Sequence, residues 1–413
     1  MRFHSSEASS RGAQAAPWFQ PARAAMALAV LAAAGLVACG GGGGGGTDTN
    51  PPPVSTGSFT SGAISGFGSV IVNGVRFDDS GAEVLDDNGQ RHGRDDLKLG
   101  AQVEIEASSV DRQGGHGVAT RIRFGSEIVG PVEAVNVAGQ RLTVLGQAVE
   151  VTARTVFDDN LPGGLSGLAA GAVVEVHAQF DAARGLYVAS RIEGESAPAA
   201  FKLRGLVAAL DSVAHTFQIG AAVVQYGSAT TVTPNLANGV KVRVLLQTTP
   251  VGGQWVATSV GSDDRHVEDH GEAEAKGLIT AWASATSFSV DGLPVDASQA
   301  TFPDGQAGVV LGAQVEVEGA LVNGVLVATK VHLEDEEHEH EQGEDYELHG
   351  TISAVDANAK TFSLRGLTVA YGSDTVFRDL TEAQLVDGAK VEVKGNLSPD
   401  GTRVDATRIS RED

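Results

Sequence analysis

"GAQVEV", Gly312 to Val317, alternates apolar and polar residues behind a glycine, and close variants of it occur five times in the chain. The others are "GAQVEI" at Gly100, "GAVVEV" at Gly171, "GVKVRV" at Gly239 and "GAKVEV" at Gly388, spaced by 71, 68, 73 and 76 residues. An alternation of period two puts one face of a strand against a core and the other against water. Upstream of each lies another glycine opening a strand-like run: Gly62, Gly130, Gly205, Gly277 and Gly350. Downstream of each comes A-T/S-x-I/V, at Ala119, Ala189, Ala257, Ala328 and Ala406. Three landmarks in one order, five times over, mark an internal duplication.

Within a unit, "TFSLRG" (Thr361 to Gly366) and "SFSVDG" (Ser287 to Gly292) add further alternating strands. Asn323-Gly324, Asp291-Gly292 and Asp400-Gly401 signal tight hairpins, because these residues accept positive φ. A piece such as "DLTEAQLVDG" (Asp379 to Gly388) is long enough for one or two helical turns. The order predicts three strands, a short helical piece and two more strands. That is an all-β chain of five tandem five-stranded units. A small closed barrel of the OB type fits and leaves few open edges; a small open antiparallel sandwich gives nearly the same pattern. In the last strand, Val256, Thr258 and Val260 share one parity and are expected in the core, with Trp255 and its counterpart Tyr187 outward. Outward rings there are candidates to stack on a sugar or a nucleobase.

The predicted organisation is a signal peptide at 1–38, a lipidated cysteine and Gly/Pro-rich tether at 39–57, and units at 58–127, 128–196, 201–262, 275–332 and 346–413. Acidic, histidine-containing linkers at 263–274 and 333–345 flank the fourth unit. Units of about 65 residues are marginal on their own, so weakly coupled modules that part at the linkers are expected.

Arg2, Arg11 and Arg23 precede "AAMALAVLAAAG" (Ala24 to Gly35), an apolar run of signal-peptide length and short of the ~20 residues needed to cross a bilayer. "LVAC" (Leu36 to Cys39) resembles the lipobox of bacterial lipoproteins, and Cys39 is the one cysteine in the chain. The resemblance implies cleavage before Cys39, a diacylglycerol on its thiol and an N-terminal lipid anchor in the membrane. Gly40 after the cysteine is the pattern associated with outer-membrane sorting, and it leaves the leaflet open. Seven glycines and "TDTNPPPVSTG" then offer nothing to bury and read as a solvated tether. The lipobox, tether and repeat together resemble tandem lipoproteins of Gram-negative bacteria built of a small β-domain of unknown function.

Acidic residues outnumber basic ones 52 to 29, for a formal net charge of −23. Such a surface repels polyanions, so nucleic acid is not an expected partner. No nucleophile elbow, phosphate loop or H-E-x-x-H pair is present, and a lipidated cysteine is no nucleophile. A non-catalytic envelope protein that binds or spaces a protein, a glycan or cations is expected, with a hydrolase of envelope polymers as an alternative. A second alternative is metal handling. Six of the eleven histidines, His266, His270, His332, His338, His340 and His349, fall in or beside the acidic linkers. Imidazoles among carboxylates suit weakly held Zn²⁺, Ni²⁺ or Cu²⁺, although a self-repelling acidic spacer has the same composition. No other cofactor is expected.

Overall fold

The computed structural model describes residues 55–111, 114–229, 231–263, 268–334 and 346–411. These residues form one compact body. It is all-β, built of small five-stranded barrels.

In the second unit the strands are Ile128–Asn136, Arg141–Val144, Gln147–Phe157, Val173–Asp181 and Leu186–Gly194. Strands one, two and three form an antiparallel meander; the third runs parallel to the fifth, the fifth antiparallel to the fourth, and the fourth antiparallel to the first. The hydrogen bonding therefore returns to its start, in the order of an OB barrel. The fourth unit repeats this circuit from His270–Ser284 to Val325–Leu333. The first unit has the same five pairings. So do the third and fifth, with one residue breaking the first strand at Val207 and Ile352. The helical piece is a single turn: Arg94–Asp96 in the first unit, Gly164–Gly167 in the second and Glu382–Gln384 in the fifth.

Two of the three sequence landmarks have a mechanical role that all five units share. The second-landmark glycines have φ of +80°, +88°, +85°, +82° and +91° at Gly100, Gly171, Gly239, Gly312 and Gly388, a conformation that side chains resist. Held this way, the amide of each glycine bonds back to the first strand, on Ile64, Val132, Val207, Ile279 and Ile352, and each of those residues donates to the alanine or valine after the glycine. This two-bond clip closes the circuit between the first and fourth strands.

The A-T/S-x-I/V landmark is a β-bulge. In all five units the ladder between the last two strands slips by one at the Thr or Ser. The hydroxyl of that residue donates to the carbonyl left unpaired on the fourth strand, at 3.0–3.2 Å: Thr120 to Glu106, Ser190 to His177, Thr258 to Leu245, Thr329 to Glu318 and Thr407 to Lys394. The slip lets the Ala and the Ile or Val three residues later both face the core, as with Ala189 and Ile192. It also corrects the parity expected for the third unit. Ala257 and Val260 are buried, whereas Val256 and Thr258 are half-buried.

Turn chemistry follows the sequence in part. Asn323-Gly324 and Asp291-Gly292 have positive φ at both residues, whereas in Asp400-Gly401 only the glycine does.

The cores do not respect the unit boundaries. One apolar cluster joins the first and fifth units, a second joins the second and third, and Phe59 of the first unit packs into the core of the fourth. The first strands of units one and four run parallel as neighbours, from Ser58↔Glu272 to Ser61↔Ala275. The units are thus fused side by side, not strung as weakly coupled modules.

Candidate functional site

The third unit carries four cations on the outer face of two neighbouring strands: Lys202 and Arg204 on Phe201–Leu206, and Lys241 and Arg243 on Lys241–Leu246. Arg204 lies directly across from Arg243, a like-charge pairing that a bare sheet disfavours. Three carboxylates compensate for it. Asp87, in a turn of the first unit, sits 2.9 Å from both Lys202 and Arg204 and 3.4 Å from Arg243. Asp263 sits 2.9 Å from Arg204 and 3.1 Å from Lys241. Glu127, between the first and second units, is 3.6 Å from Lys241 and 4.0 Å from Arg204.

Burial opposes the charge on Asp87, but Lys202, Arg204 and Arg243 outweigh it and hold its pKa below the ordinary value. Burial likewise opposes the charge on Arg204, and Glu127, Asp263 and Asp87 more than restore it. The side chains of these residues are mostly buried, so the interactions are little screened by solvent.

Beside this network lies a cleft of about 320 Å³ at the meeting of the first, third and fourth units. Ser61, Gln102, Glu104, Arg123 and Phe124 come from the first unit, Arg204, Arg243 and Ser262 from the third, and Lys276 and Asp291 from the fourth; Gly125 and Glu127 lead into the second. Two buried atoms of lining residues have no hydrogen-bond partner: Arg204 Nε, a donor, and Glu127 Oε2, an acceptor.

Tyr187 faces this junction from behind. Its ring is 2 % exposed and its hydroxyl donates to the Arg204 carbonyl at 2.7 Å. Burial first, then the nearby Glu127 and Asp263, push its pKa well above the usual value. It therefore presents no face for stacking, which corrects the expectation from strand parity. Trp255 is half-buried and meets Phe201 edge-on, with centroids 5.7 Å apart. Both rings serve contacts inside the protein.

The histidines divide. Cys39, His266, His338 and His340 lie outside the described residues. His270 is buried and stacks on Phe59, His332 pairs with Asp304 at 3.1 Å, and His349 pairs with Glu347 at 2.6 Å, so the three have separate surroundings. Among the described residues, Glu347, His349 and Glu392 place one ligand atom each within 4.8 Å of one another. Arg76 (2.5 Å) and Lys394 (3.2 Å) already contact Glu347. The bond from His349, with those two cations, holds the Glu347 carboxyl far below the carboxylate range. A cation entering there must displace a guanidinium and an ammonium, so the chemistry is that of an ion-paired seam between units one and five.

Sequence reasoning did not single out the cationic face or Asp87. The signal was present in "FKLRG" and "KVRV", two alternating strands that spend four cations of an acidic chain on their water-facing sides.

Residues 129–193, 276–332 and 349–410, within the second, fourth and fifth units, match the model of a domain of unknown function (DUF5666). A solved structure described as drosophila Unr CSD456 aligns with 53% of this chain and 98% of its own at 14% identity, with a TM-score of 0.13. No curated protein matches the chain.

Proposed function

We propose that the chain is a non-catalytic lipoprotein of the bacterial outer membrane, anchored through Cys39, whose five barrels are copies of one domain assembled into a binding body. The observation that carries the reading is the junction cleft. Three units contribute to its walls, so it exists only in the assembled protein, as a site that no single unit holds. The described residues supply polar groups that converge on one cavity, the pattern expected of a ligand site. The lipobox, the apolar run before it and the glycine tether support the address, with partners among envelope glycans or proteins. Metal handling receives less support, because His270, His332 and His349 have separate neighbours.

Cys39→Ala tests the address. The variant should be exported yet incorporate no labelled fatty acid and lose partitioning into detergent. Label retained on the variant would overturn the anchor.

A further inference from the structure

We infer that the fourth unit carries a docking face for a second copy of this chain, centred on Trp282, Val310 and Leu311. Trp282 lies three residues past Ile279, whose carbonyl takes the clip from Gly312, and Leu311 directly precedes that glycine. The indole N–H donates to the Val309 carbonyl at 2.8 Å, which pins the ring beside the loop that bears Val310 and Leu311. The three residues are 46 %, 47 % and 37 % exposed. A tryptophan and two branched aliphatics left together in water form the kind of patch that marks an interaction site.

The clip allows the same positions to be compared in every unit. In the first unit they hold Phe67 and Leu99, 2 % and 1 % exposed. Other barrels cover them. Arg365 of the fifth unit lies over the Phe67 ring at 4.7 Å, and Arg191 of the second bonds the Leu99 carbonyl while Val156 packs into the same apolar cluster. The second, third and fifth units hold Val135 with Ala170, Leu210 with Asn238 and Val355 with Asp387, a half-buried aliphatic beside a small or polar residue. A large apolar pair thus occurs twice: once under neighbouring barrels, and once, in the fourth unit, in water. What covers the pair in the first unit is other barrels of this fold, and a second copy of the chain supplies the fourth unit with the same.

Charge selects the same occupant. Residues 277–290 and 305–315, which carry the face, contain no Asp, Glu, Lys, Arg or His, in a chain where 20% of residues are charged. A partner recognised by opposite charge finds nothing to pair with here. Two copies of net charge −23 repel one another, and an uncharged face is where they meet at least cost. Across a twofold axis the face meets itself, so each Trp282 packs on its counterpart's patch.

The test is sedimentation velocity on residues 40–413, the chain without its signal peptide and Cys39. The face is small, so a reversible dimer with a dissociation constant on the order of 10–100 µM is expected. Added salt should tighten it, because screening weakens the repulsion between the two net charges. Val310→Asp brings like charges to the contact and should weaken association at least tenfold, with no change in the thermal unfolding midpoint. Val213→Asp, on a turn of the third unit where the valine is 93 % exposed, is the control and should leave association unchanged. Residues 40–413 contain two tryptophans, Trp255 and Trp282, and Trp282 is the more exposed. Emission of the wild-type protein should therefore move to the blue as the dimer forms. A monomer at up to ten times the expected dissociation constant overturns the inference. A dimer that Val310→Asp leaves intact, that both variants weaken alike, or that forms with no change in emission overturns its assignment to this face.

Discussion

The seams inside a unit and the seams between units are built on opposite principles. Inside, the same devices recur: a positive-φ glycine that clips the barrel shut, and a Thr or Ser hydroxyl that caps the bulge carbonyl. Between units, first strands pair with one another for units one and four, one and five, and two and three, but the side-chain contacts among the described residues differ at each interface. Unit one meets unit three through Asp87 and its cations, unit four through a parallel ladder, and unit five through the Phe67 amide bonded to the Glu347 carbonyl, with Arg365 over the Phe67 ring. Unit two meets unit one through the buried Arg191, whose guanidinium donates to the Leu99 carbonyl at 3.1 Å. The barrel recurs from unit to unit, and the side chains that join the units do not.

The largest expected effect separates the two kinds of seam. Asp87→Ala leaves Lys202, Arg204 and Arg243 facing one another across a buried junction, and breaking such a set costs about 3–5 kcal/mol. Chemical denaturation should show that loss in the contact between units one and three, with the barrels themselves intact by circular dichroism. A loss below about 1 kcal/mol would put Asp87 among ordinary surface pairs.

The same contact sets a pH dependence. The pKa of Asp87 is depressed on folding, so its stabilisation is fully present above its unfolded value of 3.8 and disappears as pH falls through the lower folded value. Comparing wild type with Asp87→Asn isolates this contribution. The stability gap between them should be constant above about pH 5 and close as the solution is acidified below about pH 4. A gap that instead widens with acid would reverse the sign of the argument.

Repeated seams should yield smaller and more uniform effects. Gly388 has φ of +91°, and a Cβ added there would meet no atom within 4 Å. Gly388→Ala therefore brings backbone strain without a clash, at about 1–3 kcal/mol. Thr407→Val removes one hydroxyl from a bulge carbonyl, about 1 kcal/mol. Thr329→Val in the fourth unit should cost less, because the same bond is exposed to solvent there. A larger loss at Thr329 than at Thr407 would contradict this.

This contrast also explains what was legible in the sequence. Period-two alternation, glycine landmarks and hairpin dipeptides report local constraints that every copy must meet, so five repeats read clearly. The bulge was visible as the three-residue step in A-T/S-x-I/V, yet strict alternation sent Tyr187 outward when the slip turns it inward. Contacts between units leave no periodic trace. Asp87 and Lys202 are 115 residues apart, and nothing near either names the other. The cleft was therefore hidden, although the four cations that floor it stood in plain alternation.

The units form one body held by contacts particular to each pair. A protease site inserted within residues 335–345 allows the chain to be cut between the fourth and fifth units. After complete cleavage the fifth unit should remain bound, held by the Phe67–Glu347 and Arg76–Glu347 contacts and by the Thr368 amide on Asp159, and the two pieces should elute as one particle of the uncut size. Elution of the fifth unit as a separate, folded fragment would contradict the account and restore a string of independent barrels.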